Sequence, residues 1–168
     1  VGYPLSVNDT FQRRNTKHSL EESWPLVENL LKNKGGLGLV VYLSMGFGNP
    51  YGEPWRASDT VKAVDRLREL GVKNIALADT VGTATPECLK NVLSQIEQPE
   101  TLGLHLHARP NGWQGQLETA LAFGITWFEG ALAGVGGCPF ATDTLVGNLP
   151  TEKVLAWFMS KGMDVPVQ

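Results

Sequence analysis

At 168 residues, with 14 lysines and arginines against 17 acidic residues, the chain has a formal net charge of −3 and is long enough to bury one core. The mild acidity lacks the basic excess of a nucleic-acid partner, and no apolar run approaches the roughly 20 residues that cross a bilayer. No signal peptide is visible, and two cysteines, Cys88 and Cys138, do not make a disulfide scaffold. The expectation is small-molecule chemistry in a reducing cytoplasm, with no nucleic-acid partner and no membrane.

The first segment, Val1 to Val7, reads as a strand already under way. Ser19-Leu20-Glu21-Glu22 has capping-box form and opens a helix that runs toward Lys34 and is stopped by Gly35-Gly36. Leu37 to Ser44 is a nearly all-apolar strand, followed by a turn-rich loop, Gly46 to Pro54, long enough to be functional. Ser58 is expected to cap a helix in which Val61, Val64, Leu67 and Leu70 recur near helical spacing, with Gly71 placed to end it. After the strand Asn74 to Ala78, Thr85-Pro86-Glu87 starts another helix with proline at its tolerated first position. Leu102 to His107 is the following strand. A helix from about Gly112 to Phe123, closed by Gly124, leads into a strand from Ile125 to Leu132, and Thr151 to Lys161 forms the last helix.

These are about five βα units. Continuous apolar strands interleaved with amphipathic helices imply a parallel sheet covered by helices, which fits an open doubly wound sheet as well as part of a (β/α)8 barrel. No phosphate-binding glycine fingerprint follows the strands, which disfavours nucleotide binding. The length is short for a complete barrel, which takes about 250 residues.

Candidate chemistry gathers at the predicted C-terminal ends of strands, the active face if the fold is a barrel. Asp79 stands there, although Asp-Thr after a strand is also a common turn or cap. In Leu104-His105-Leu106-His107, side chains alternate across the strand, so His105 and His107 point to one side and can grip one metal ion. Two histidines within an apolar run are costly unless something binds them. Cys138 sits in Gly134-Val135-Gly136-Gly137-Cys138-Pro139-Phe140-Ala141, a glycine-hinged loop able to swing a thiol over a site, whereas a free cysteine elsewhere is usually a small buried hydrophobe. Glu152, four residues after Asn148, reads by itself as an ordinary first-turn acid at a helix dipole.

Four motifs together, Ala76-Leu77-Ala78-Asp79-Thr80-Val81-Gly82-Thr83-Ala84-Thr85-Pro86, the His105/His107 pair, Gly136-Gly137-Cys138-Pro139-Phe140-Ala141 and Gly147-Asn148-Leu149-Pro150-Thr151-Glu152, agree in order and spacing with a known family. The chain resembles the hydroxymethylglutaryl-CoA lyases, metal-dependent TIM-barrel enzymes related to isopropylmalate and homocitrate synthases. The resemblance covers nearly all of residues 1–168 and maps to the C-terminal portion of such a barrel. It implies a single domain forming an incomplete TIM barrel, roughly strands four to eight.

The resemblance also implies a site. His105, His107 and Asn148 would bind a divalent ion, Mg²⁺ or Mn²⁺, with a further aspartate from a first strand that has no counterpart here; nor has the arginine beside it. The substrate would be an acyl-CoA, 3-hydroxy-3-methylglutaryl-CoA, cleaved to acetyl-CoA and acetoacetate. Asp79 or His105 would take the hydroxyl proton, Cys138 would protonate the enolate, and Glu152 would orient the metal ligand or the cysteine loop. His107-Ala108-Arg109-Pro110 departs from the usual His-Asp-Thr continuation and removes a carboxylate; Arg109 could lie near an anionic substrate. Two alternatives stand beside the lyase: an acyl-CoA condensing transferase of the isopropylmalate or homocitrate synthase kind, disfavoured by the cysteine loop, and a non-catalytic metal-binding remnant. An incomplete parallel sheet has unpaired edges, so pairing with another chain, as a homodimer, is expected, and the chain alone is expected not to turn over substrate.

Overall fold

The computed structural model describes residues 1–108, 112–137 and 146–165. Five strands form a parallel sheet: β1 (Gly2–Ser6), β2 (Val40–Ser44), β3 (Asn74–Ala78), β4 (Gly103–His105) and β6 (Trp127–Glu129), arranged in chain order. A second, two-stranded antiparallel sheet joins β5 (His107–Ala108) to β7 (Gly147–Asn148). The helices are α1 (Asp9–Thr16), α2 (Leu20–Asn33), α3 (Ala57–Glu69), α4 (Pro86–Leu93), α5 (Trp113–Ala122) and α6 (Thr151–Ser160). A parallel sheet in strict chain order, with helices between its strands, is the arrangement of successive βα units in a barrel rather than of a doubly wound sheet, whose order reverses. Among the described residues the barrel is only partly present, with β1 and β6 as the sheet edges.

The register explains how one sheet carries both a core and a site. Leu5, Leu43, Leu77, Leu104 and Phe128 are aligned across all five strands, and the four leucines are fully buried in the core that includes Val27, Val64, Leu67, Leu89, Val92 and Leu117 from the helices. Each leucine so buried contributes about 1.5–3 kcal/mol. One residue further along each strand the side chains face the other way, and there the row ends in His105 and Glu129, paired in register. Between Tyr42 and Trp127 that face carries only Ala76 and Gly103. A Cβ on Gly103 would lie 2.4 Å from Trp127 Cδ2, so any side chain there must push the indole aside.

Several local expectations hold. Ser19 and Glu22 form the reciprocal capping box, and Thr85 caps α4 with Pro86 in its first turn. Others are corrected. The helix α1 is absent from the sequence reading because its eight residues bury only Phe11 and Gln12 and so show no apolar repeat; its signal is Asn8, whose Oδ1 accepts from the Phe11 amide at 2.8 Å. Ser58 is not a cap, since α3 begins at Ala57 and its cap position, Arg56, makes no side-chain cap bond. The loop before α3 sets that start: Trp55 Nε1 donates to the Met45 carbonyl, and Thr60 Oγ1 donates to the Gly46 carbonyl. The expected strand from Leu102 to His107 is divided at Leu106, and only Trp127–Glu129 of the expected Ile125–Leu132 strand pairs in the sheet. A short 3₁₀ turn takes up Leu132–Gly134.

Candidate active site

The division at Leu106 builds the site. Leu106 remains in the core, fully buried, while the chain leaves the parallel sheet and His107 pairs with Asn148 across the antiparallel ladder. Residues far apart in sequence are thereby set side by side. A pocket of about 490 Å³ opens at the C-terminal ends of the strands, lined by Phe11, Tyr42, Ser44, Ala78, Thr80, His105, His107, Gly136, Gly137 and Asn148. His105 and His107 do share a side, their rings packed edge to face with centroids 5.2 Å apart.

Each ring is held by its Nδ1. His107, 5 % exposed, has Nδ1 at 3.1 Å from the Thr80 carbonyl oxygen. A carbonyl only accepts, so Nδ1 carries the hydrogen and the lone pair resides on Nε2. Burial, and then the neighbouring His105, hold the His107 imidazole below its ordinary pKa, against the opposing effect of its bonds to Thr80, Asp79 and Asn148. It is therefore neutral and able to donate a lone pair at neutral pH. His105, with about a third of its side chain exposed, has Nδ1 at 3.1 Å from Glu129 Oε2.

Asn148 Nδ2 donates to the Val135 carbonyl at 3.3 Å, and the same side chain also reaches His107. Gly136, at φ +119°, lies so close that a Cβ would sit 2.7 Å from Asn148 Nδ2. Among the described residues no three His, Cys, Asp or Glu side chains gather as a metal cluster. Two imidazoles and an amide oxygen facing one pocket are nonetheless a donor set that fits a divalent cation with further oxygen ligands.

Asp79 is placed differently from the histidines. It is 1 % exposed, and its carboxylate accepts from the backbone amides of Thr83 at 2.8 Å and Ala84 at 3.1 Å, bracing the turn before α4 rather than lining the pocket. Burial pushes its carboxyl up to about 6, with the Ala84, Thr83 and Gly82 amides pulling the other way. Glu152 is exposed and accepts from the Ala133 amide at 2.8 Å, so it fastens the 3₁₀ turn that leads into Gly136-Gly137. Arg109 and Cys138 lie outside the described residues.

The sequence reading missed Tyr42, Ser44, Thr80 and Glu129. Tyr42 Oη donates to Glu129 Oε1 at 2.9 Å; burial first, then this bond and the carboxylate's charge, push the phenol up to about 12. The strands of Tyr42 and Glu129 are separated by β3 and β4, about 14 Å in a flat sheet at ~4.8 Å per strand. The bond closes because the sheet curls toward this face and Ala76 and Gly103 leave its centre open. No local pattern advertises such a contact, although polar residues at the predicted C-terminal end of a barrel strand are a general signal.

Comparison with known proteins gives the site its family context. The HMGL-like family model matches residues 6–168. A hydroxymethylglutaryl-CoA lyase of Bacillus subtilis is 31 % identical over 166 residues, covering 96 % of this chain and 54 % of its own length. A cytoplasmic 3-hydroxy-3-methylglutaryl-CoA lyase of Danio rerio is 32 % identical over 167 residues, covering 96 % of this chain and 50 % of the relative. The solved structure of an HMG-CoA lyase from Acinetobacter baumannii, in complex with coenzyme A and 3-methylmalate, superposes with a TM-score of 0.87 at 28 % identity, over 99 % of this chain and 56 % of that one. The chain spans about half the length of the curated relatives it matches. On the family model's match to nearly every residue, this chain belongs to the HMGL-like family.

Proposed function

We propose that the chain carries the catalytic face of a hydroxymethylglutaryl-CoA lyase, a carbon-carbon lyase that cleaves 3-hydroxy-3-methylglutaryl-CoA to acetyl-CoA and acetoacetate. The observation that carries this reading is the convergence of His105, His107 and Asn148 on one pocket at the C-terminal ends of the strands. His105, His107 and Asn148 would hold a divalent cation, Mg²⁺ or Mn²⁺. Bound there, the ion would act as a Lewis acid on the C3 hydroxyl, lowering its pKa and stabilising the developing oxyanion.

The chain's own groups do the rest. A base removes the hydroxyl proton, the C3 oxygen becomes the acetoacetate ketone, and the electron pair of the C2–C3 bond passes to the acetyl-CoA enolate, which takes a proton at C2. Of the two candidates for the base, Asp79 is committed to backbone amides, so the role falls to His105, whose Nε2 is on the ring edge opposite Glu129. Its single Nε2 lone pair serves one partner at a time, so while His105 takes the proton the cation would be held by His107 and Asn148 together with substrate oxygens. Cys138, immediately after the pocket-lining Gly136-Gly137, delivers the proton to C2, and Glu152 steadies the approach to that thiol through Ala133. The acyl-CoA class of the substrate is supported by the relative solved with coenzyme A. Relatives at this similarity include cytoplasmic and mitochondrial forms, and among the described residues no helix is long and apolar enough to cross a membrane.

The deciding experiment extends the chain with the N-terminal half of a lyase relative and follows acetoacetate release with Mg²⁺ or Mn²⁺ added. Cleavage abolished by His107→Ala supports the reading. Condensation of acetyl-CoA with a 2-oxo acid, without cleavage, would place the chain with the synthases instead.

A further inference from the structure

The carboxylate of Glu129 touches both Tyr42 and His105 and has no part in the reaction set out above. We infer that Glu129, braced by Tyr42, is a positioning residue that fixes the tautomer and orientation of His105 so that Nε2 is presented to the pocket. The inference rests on the lyase reading only for the use made of that nitrogen.

The geometry carries it. Glu129 is the in-register neighbour of His105 on the adjoining parallel strand, and its Oε2 meets Nδ1 at 3.1 Å. A carboxylate offers only acceptors; the shared hydrogen therefore belongs to Nδ1. Its other oxygen is already engaged by the Tyr42 hydroxyl at 2.9 Å, which prevents the carboxylate from rotating away. The Tyr42 ring also stands edge-on to the imidazole, with centroids 6.2 Å apart at an interplanar angle of 83°, and His107 packs against the same ring at 78°. Three contacts from β2, β5 and β6 thus leave His105 one orientation. His107 takes the same tautomer from a backbone carbonyl, whereas the half-buried His105, with about a third of its side chain open to solvent, takes it from a side chain. Partners of this kind typically change metal affinity or activity 10–100-fold when removed.

The test uses the full chain with ¹⁵N-labelled histidine and long-range ¹H–¹⁵N spectra, which report the ring tautomer directly, together with Mn²⁺ binding followed by water-proton relaxation. The unaltered chain is expected to show His105 as the Nδ1–H form. Glu129→Ala should redistribute that proton toward Nε2 and weaken Mn²⁺ about 10–100-fold. Glu129→Gln, which keeps an acceptor for Nδ1–H, should retain the tautomer. Tyr42→Phe leaves the carboxylate in place but free to turn, giving a partial redistribution and covering the case in which Glu129→Ala does not fold. An unchanged tautomer in both Glu129→Ala and Tyr42→Phe would overturn the inference. A redistributed tautomer with no Mn²⁺ binding in any form would uphold the positioning role and instead count against the metal reading.

Discussion

Asp79 shows how far a residue's surroundings can revise its chemistry. Its carboxylate is buried yet tied to the Thr83 and Ala84 amides, so Asp79→Asn would set an NH₂ group against a backbone donor. The expected loss is about 1–3 kcal/mol of stability, measurable by urea unfolding. Burial raises its folded pKa to about 6 from 3.8. A carboxyl raised in this way binds its proton more tightly in the folded state, so its contribution to stability is full below about 3.8 and is lost as pH rises through about 6. Carbon-13 spectra of the labelled carboxyl should show a midpoint near 6; a midpoint at the ordinary value would mean that the bonds to the amides fully offset burial, and one below it that they outweigh burial. Cys138 calls for a different measurement. In a chain completed to barrel length, Cys138→Ser should lower kcat by about 10²–10⁴ while leaving cation affinity near normal. Little change in rate would return the thiol to a packing role.

At the scale of the element, the join between β4 and β6 holds the site together. Gly103 lies under the Trp127 indole, and any side chain there must displace it. Gly103→Ala is expected to cost about 1–3 kcal/mol and to lower Tm. Because His105 and Glu129 pair on the same two strands, it should also disturb their contact, visible as a shifted His105 ring resonance. The helix caps and the strand Asn74–Ala78 were legible because they depend on neighbouring residues alone: Ser19 with Glu22, and Thr85 with Pro86. The division at Leu106 was not. A run of alternating apolar and histidine residues reads as one strand, and only the arrival of Gly147–Asn148 gives His107 a different partner from His105.

At the scale of the molecule, the described residues end their five parallel strands in two edges, β1 and β6, and sheet edges can pair with another strand. We expect the 168-residue chain to associate with itself, as a homodimer or larger, and not to cleave 3-hydroxy-3-methylglutaryl-CoA without added chain. Light scattering coupled to an acetoacetate assay checks both; cleavage by a monodisperse monomer would sink both expectations. What the sequence determined by itself was the alternation of apolar strands with amphipathic helices, the same-side placement of His105 and His107, and the motifs that mark the family. Each depends on spacing along the chain or on residue identity. Tertiary structure alone decided that His107 and Asn148 pair in register on an antiparallel ladder, that Asp79 turns into its own loop, and that Tyr42 reaches Glu129 across two intervening strands. Those contacts depend on strand register and on the curl of the sheet, which are set by packing among distant residues and leave no periodic trace in the sequence.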